Sequence, residues 1–389
     1  MHILSVQLDL CNLETVRDAA RQLHTGTLST LAGDTEWFTP LTNVRIPRLD
    51  SVIFNAGIGG FTALDWPKLI RNFLVEGCIE ATTWPTFKVA SHGSTVAPAP
   101  STSPSSTLGE IFCANVFGHY MFAHALLSLL TRSSSTTNLP PARIIWESSV
   151  EGDWDSHSLS DFQGLSRPFA YESSKRLTDI LCLTAALPAS QPFVNSYLTP
   201  TDNITVPQET EAVGEEKTTR PRIYVVHPGV VQTTIFPVNA FLFFWYRVVL
   251  YFVRWIGSPW HPITTYNGAK AAVWVALQEQ TALDAECAER VKWGSATDRA
   301  GNCFVKKTEV AGWGWDGRVT EKGYEEECVV GVLRRAVGRR SGAVDLTEDK
   351  FVEFQEVGAA CWKEMERLRV EWEARLYAKW GNESVRYHH

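Results

Sequence analysis

No Cys-x-x-Cys pair occurs among the eight cysteines, which lie far apart at Cys11, Cys78, Cys113, Cys182, Cys287, Cys303, Cys328 and Cys361. That excludes a zinc ribbon and a thioredoxin-type redox motif. Eight cysteines over 389 residues are too few for a disulfide framework, so a reducing compartment is expected. A basic surplus is missing too. Lys plus Arg number 36 against 43 Asp plus Glu, a net charge of −7, which argues against a protein that grips nucleic acid through phosphates. The first residues, Met1 to Asp9, carry no basic region, so no secretion signal is expected there. What the chain has is apolar material. Hydrophobic residues make up 44%, with fifteen Trp and nineteen Phe, enough for a real core and far too much for a disordered chain. The length suits two or three domains, or one domain with large insertions.

Apolar runs alternate with helical spacing. Residues 3–10 read as a short strand ending at Asp9, and Leu13, Val16, Ala20 and Leu23 follow at helical spacing. A second strand, Leu49 to Phe54, runs into Asn55-Ala56-Gly57-Ile58-Gly59-Gly60. Residues 110–130 and 170–187 read as helices, and Arg143–Trp146 and Ile223–Val226 as strands. This order predicts a parallel sheet with helices on both faces, and ligands at the carboxyl ends of its strands. Polar or Ser/Thr/Pro-rich stretches at 91–107, 132–141 and 199–221 read as surface insertions. The run 235–257 is the most apolar, but Pro237, Asn239, Arg247 and Arg254 interrupt it. A helix lying in a membrane interface, or a lid over a substrate cleft, suits it better than a spanning helix. Residues 347–380 read as a C-terminal docking helix. The division expected is a core over 1–290 and a C-terminal extension over 291–389.

The chemistry-bearing residues sit at strand ends or on the helices that follow. Tyr171-Glu172-Ser173-Ser174-Lys175 puts a phenol and an ammonium on one helix face. A nearby ammonium favours phenolate and lowers the Tyr pKa toward working pH, and such a Tyr can give a proton to a carbonyl receiving hydride. A second copy of the spacing, Tyr266-Asn267-Gly268-Ala269-Lys270, comes after the last recognisable strand and reads as coincidence. Ser149 ends a strand, where a hydroxyl can orient the same carbonyl, although a lone strand-end Ser more often caps a turn. Asn115 lies inside an apolar helix, where it either holds a proton-relaying water or satisfies a carbonyl at a kink. Asn55-Ala56-Gly57 and Pro228-Gly229-Val230-Val231-Gln232-Thr233 follow strands and allow close backbone approach to a ligand.

Taken in order, this set resembles the short-chain dehydrogenase/reductase superfamily. Asn55–Gly60, Cys113-Ala114-Asn115-Val116-Phe117-Gly118-His119-Tyr120, Tyr171–Arg176, Gly257-Ser258-Pro259-Trp260-His261, Gly294–Arg299 and Gly312–Gly317 resemble its fungal 3-ketosteroid reductase branch. The resemblance implies a Rossmann-like doubly wound sheet. It implies NADPH-dependent reduction of a 3-keto sterol to the 3β-hydroxyl during C-4 demethylation in ergosterol-type biosynthesis. The implied place is the endoplasmic-reticulum membrane or lipid droplets, with the catalytic part facing the cytosol. The other C-4 demethylation proteins or their scaffold, and the membrane surface, are the implied partners. Carried onto this chain, Tyr171 is the proton donor, Lys175 lowers its pKa and holds the cofactor ribose, Ser149 orients the carbonyl and Asn115 completes the relay. Asp9 contacts the adenine, Asn55, Ala56 and Gly57 the adenosine side, and Pro228, Gly229, Val231 and Thr233 the nicotinamide side. Residues 153–168 are expected to shape the sterol pocket together with the aromatic run.

The superfamily's Gly-rich phosphate turn has no counterpart, since Gly26 and Gly33 are isolated. The fold is therefore expected to be N-terminally truncated, lacking the first βαβ unit. Two alternatives follow: a non-catalytic member acting as a scaffold among membrane sterol enzymes, or a reductase of another lipid carbonyl.

Overall fold

Alternation along the strands decides which helices cover which face of the sheet. The computed structural model describes residues 3–29, 42–91, 93–96, 107–133, 139–200, 218–233, 240–319 and 338–386. Its central sheet has five strands, β1 (Ser51–Phe54), β4 (Arg143–Glu147), β5 (Arg222–His227), β6 (Lys292–Thr297) and β7 (Cys303–Thr308), in that spatial order. A hairpin, β2 (Phe61–Leu64) and β3 (Lys88–Ala90), stands apart from it. The first four sheet strands run parallel and β7 is antiparallel to β6. Register pairs Ile53 with Ile145 and Ile144 with Ile223. Ile144, Trp146, Ile223 and Val225 point into one core, while Ile145, Tyr224 and Val226 point into the other. A sheet buried on both faces needs continuous apolar strands, and Ile144-Ile145-Trp146 is one.

The first core is covered by α1 (Leu13–Thr25), α4 (110–125), α5 (Ala170–Thr184) and α8 (Glu348–Arg386), and the second by α7 (Lys270–Leu277). Helix α1 starts where the Asn12 side chain accepts from the Glu14 N–H at 3.1 Å. Two further helices, α2 (Trp66–Val75) and α3 (Cys78–Thr83), follow β2, and α2 is capped by Asp65. Helix α6 (Ala240–Trp255) precedes α7. Helix α8 lies on α5, with Phe354, Cys361, Trp362 and Met365 buried. The Trp362 indole donates to Leu181 O at 3.0 Å. Gly358 marks the crossing, since a Cβ there would run into Thr184.

Several expectations change. Residues 3–9 alternate in exposure like a strand, but no strand pairs with them among the described residues, so they are extended backbone without a ladder. The expected helix over 110–130 is broken. A π turn, Cys113–Phe117, interrupts it, and Leu126 ends α4 before the short helix Leu127–Leu130. Strands β6 and β7 extend the sheet past residue 290, so residues 292–308 belong to the core sheet and not to an extension. No apolar run marks them, since Lys292-Trp293-Gly294-Ser295 is buried with polar and small side chains. Most of the insertions, 97–106, 134–138 and 201–217, lie outside the described residues, as do 234–239 with Pro237 and Asn239. A short antiparallel ladder between Arg132–Ser133 and Thr218–Thr219 joins the bases of two of them. All described cysteines are free.

Candidate active site

Strands β1, β4 and β5 end side by side, and their parallel direction gathers the expected residues along one edge. After β4, the Ser148 N–H donates to Val226 O at 2.7 Å, which holds the strand end in register for one more step. The Ser149 hydroxyl accepts from the Glu151 N–H at 3.3 Å and stands near enough to the Tyr171 phenol to pull its pKa down. So the turn-capping role and the phenol contact belong to the same oxygen. Tyr171 sits in the first turn of α5, its ring edge-on to Phe61 at 5.3 Å between centroids. One turn on, the Lys175 ammonium donates to Glu147 O at 2.9 Å and lies 5.7 Å from the Tyr171 ring centre.

The electrostatics differ from the expectation. Burial pushes the Tyr171 phenol above its ordinary value, and Glu151, Glu172 and Glu147 add to the rise against the Ser149 hydroxyl. Lys175 does not overcome this, because burial pulls its own pKa down to about 8, against the pull of Glu147 and Asp179. Burial likewise raises Glu147 to about 7, with Lys175 opposing. In this field the phenol stays protonated, the form that can donate to a ketone oxygen.

Asn115 occupies the π turn, and such a bulge turns a side chain out of helical register. Its amide brackets the backbone of one residue: Oδ1 accepts from Ile58 N–H at 2.8 Å, and Nδ2 donates to Ile58 O at 3.0 Å. Nδ2 also donates to Ser174 Oγ at 3.0 Å, and that hydroxyl donates to Tyr171 O. Both amide hydrogens are thus engaged, so the side chain ties the loop after β1 to α5. Gly57 follows from this closeness, since a Cβ there would come 2.8 Å from Asn115 Oδ1 and 3.9 Å from Lys175 Nζ. Asn55, Ala56 and Gly57 are exposed on the rim above.

After β5, Gly229 has φ +70°, and a Cβ there would meet Pro262 Cδ, Ser295 O and Trp260 O at 2.7–2.9 Å. The next residues lock onto Gly257–His261 and beyond: Val230 N–H donates to Trp260 O at 2.6 Å, and Val231 bridges Ile263. Thr233 opens into an apolar cleft of about 230 Å³. Leu64, Phe73, Phe87, Leu242 and Tyr246 are among its walls, so α6 lines it as the aromatic run suggested. Residues 153–168 do not. They pack on the starts of α4 and α5, with Gln163 accepting from Gly109 N–H and Phe162 against Phe112.

Asp9 is not at a strand end. It is exposed in the turn before α1, where its carboxylate accepts from Cys11 N–H at 2.9 Å. Tyr266 is 88% exposed.

Sequence reasoning passed over the supports. Lys292 of β6 donates to Ser149 O at 2.5 Å and pairs with Asp179 at 2.7 Å, both deeply buried. Asp179 follows Lys175 by one turn, so the Tyr-x-x-x-Lys face continues to a third charged position. His119, one turn past Asn115, meets Ala56 O at 2.8 Å through Nε2, and burial lowers its pKa to about 4. These i, i+4 spacings were the available signals.

No family model matches the chain. Curated relatives do. It is 47% identical over 386 residues to the 3-keto-steroid reductase of Gibberella zeae, covering 97% of this chain and 78% of that protein. It is 38% identical over 378 residues to that of Aspergillus fumigatus, covering 95% and 77%. The protein of the same name from Saccharomyces cerevisiae is 30% identical over 270 residues, covering 69% and 65%. The chain belongs to the 3-keto-steroid reductase family. Membership in this family makes it an oxidoreductase. Gly257–His261 is the wedge under Val230, with the His261 ring bonded to Ser258 Oγ at 2.7 Å and to Thr82 Oγ1 at 3.1 Å.

Proposed function

We propose that this chain uses NADPH to reduce the 3-keto group of a sterol to the 3β-hydroxyl, in C-4 demethylation. The observation that carries the proposal is one protonated phenol, Tyr171, near the Ser149 hydroxyl and a buried ammonium, with an apolar cleft walled by α2 and α6 opening at Thr233. The residues at the strand edge suit a nicotinamide coenzyme. Lys175 stands beneath the exposed Asn55–Gly57 rim, and the positive φ of Gly229 leaves Pro228, Val231 and Thr233 on the other side. When bound there, the coenzyme supplies the hydride. Tyr171 gives its proton to the ketone oxygen, Ser149 orients that oxygen, and Lys175 holds the ribose and helps the phenol recover its proton. Asn115 keeps the rim at its distance from α5. The walls of α2 and α6 keep water from the sterol rings.

The same walls support a membrane-surface location. Phe241, Phe244, Trp245 and Trp255 of α6 and Trp66, Ile70 and Leu74 of α2 are exposed beside the cleft. Among the described residues no helix is long and apolar enough to cross a membrane. A helix with an aromatic face and Arg247 at its surface suits the interface. We place the enzyme on endoplasmic-reticulum or lipid-droplet membranes, facing the cytosol, beside the other C-4 demethylation proteins.

Mixing the protein with NADPH or NADH and a panel of a 3-keto sterol, retinal and a fatty-acyl ketone tests the activity. Oxidation of NADPH with the sterol alone is the expected result. Preference for another carbonyl would overturn the substrate. A folded chain that binds neither coenzyme would point to a scaffold role instead.

A further inference from the structure

The β2–β3 hairpin lies over Tyr171 and brings a lysine with it. Leu64 pairs with Lys88 in the hairpin register, and the Lys88 ammonium lies 4.4 Å from the Phe61 ring centre and 5.2 Å from that of Tyr171. Its side chain is 3% exposed. Two carboxylates meet it: Glu151, in direct contact, and Glu172 at 2.7 Å. Glu151 is two residues past Ser149, and Glu172 follows Tyr171 directly. One cation therefore joins the turn that carries the hydroxyl to the turn that carries the phenol. Removing one partner of such a buried cluster leaves an uncompensated charge, which is costly in a low dielectric.

We infer that Lys88 is a positioning residue for the reduction, clamping Glu151 and Glu172 so that Ser149 and Tyr171 are held together and the phenol is shielded from both carboxylates. This inference rests on the reading of Tyr171 as proton donor. The charged groups around the phenol come from every neighbouring element: Glu147 from β4, Glu151 from the turn after it, Glu172 and Lys175 from α5, and Lys88 from β3. Arg340 and Tyr246 of α6 interact in turn with Glu151. Glu151 and Glu172 each make the phenol hold its proton more tightly. Lys88, balancing them, makes it a stronger acid.

The signs can be read in pH–rate profiles of NADPH-dependent ketone reduction. Turnover falls at high pH as the coupled Tyr171–Lys175 pair loses a proton, and Lys88→Met, which removes a cation beside that pair, shifts that basic limb upward. Glu172→Gln, which removes a carboxylate, shifts it downward. Lys88→Met also lowers kcat about tenfold or more while KM for the ketone stays within about threefold. Lys88→Arg keeps most of kcat, and Glu172→Gln added to Lys88→Met recovers part of it. A purely structural lysine would change thermal stability without moving the two limbs in opposite directions. If Lys88→Met does not fold, Glu172→Gln and Lys88→Arg still decide, because an unmoved limb in Glu172→Gln overturns the inference. Tyr171→Phe separates the two failures. Near-normal turnover in that variant would remove the proton-donor reading, whereas a lost turnover with both limbs unmoved would remove only the role of Lys88.

Discussion

Tyr171-Glu172-Ser173-Ser174-Lys175 and Tyr266-Asn267-Gly268-Ala269-Lys270 carry the same phenol and the same ammonium at the same spacing. At the first, the phenol lies by Ser149, the ammonium donates to Glu147 O, and Phe61 and Lys88 close over the ring. At the second, Tyr266 and Lys270 both lie in solvent. What that segment contributes is Gly268, packed so closely on Val231 and Pro228 that a Cβ would not fit, with Thr264 capping the turn. The spacing only sets two groups on one side of a helix. Reactivity comes from what that side faces, and α5 faces the ends of β1 and β4.

Substitutions sharpen the contrast, beginning with the proton itself. Tyr171→Phe is expected to lower turnover by about a hundredfold or more, with little change in thermal midpoint. Assays of ketone reduction beside a thermal melt check both halves. Lys175→Met should come next, with turnover again down by about a hundredfold, yet without loss of stability at pH 7. The reasoning is one of sign. Lys175 titrates at about 8 in the fold, below the ordinary lysine value, so its burial opposes folding wherever it is charged. That opposition, about 3 kcal/mol, is full below pH 8 and fades toward pH 10.5. Methionine removes it and leaves Glu147 O unpaired, an offset of about 1–3 kcal/mol. Any stabilisation should therefore shrink as pH rises from 8 to 10, and a melting series would show it. Ser149→Ala is expected to cost about tenfold to a hundredfold in turnover, since the phenol keeps its place but the ketone oxygen loses a donor. Tyr266→Phe and Lys270→Met should leave turnover within about twofold. A loss at Tyr266 comparable with that at Tyr171 would reverse the comparison.

Much of this could be read from the sequence because it is local. The strands Arg143–Glu147 and Arg222–His227 announce themselves as apolar runs, and helical spacing locates α1 and α5 within a few residues. The order of Asn55, Asn115, Ser149, Tyr171 and Gly229 along alternating elements was enough to bring them to one edge. The unreadable parts were long-range or polar. Lys88 lies 63 positions from Glu151 and Lys292 lies 113 from Asp179, and no spacing rule links such pairs. Strand β6 hides its place in the sheet behind a buried lysine and small residues. The direction of the Tyr171 shift could not be read either. Lysine alone was visible in the motif, whereas the burial and the three carboxylates that outweigh it belong to the folded chain.

Helix α8 has a consequence for how the molecule is made. Glu366 accepts from the Tyr120 hydroxyl at 2.7 Å across 246 positions, and Arg369 reaches His124 across 245. The outer wall of α5, the helix that carries Tyr171 and Lys175, is therefore translated long after α5 itself. Until then the nascent chain exposes the apolar side of that helix, around Leu181 and Cys182, and depends on staying dilute or guarded. Synthesis of residues 348–377 closes that window, so a stop codon upstream of Trp362 should send the product to aggregation and degradation even though every residue placed in the active site has already been translated.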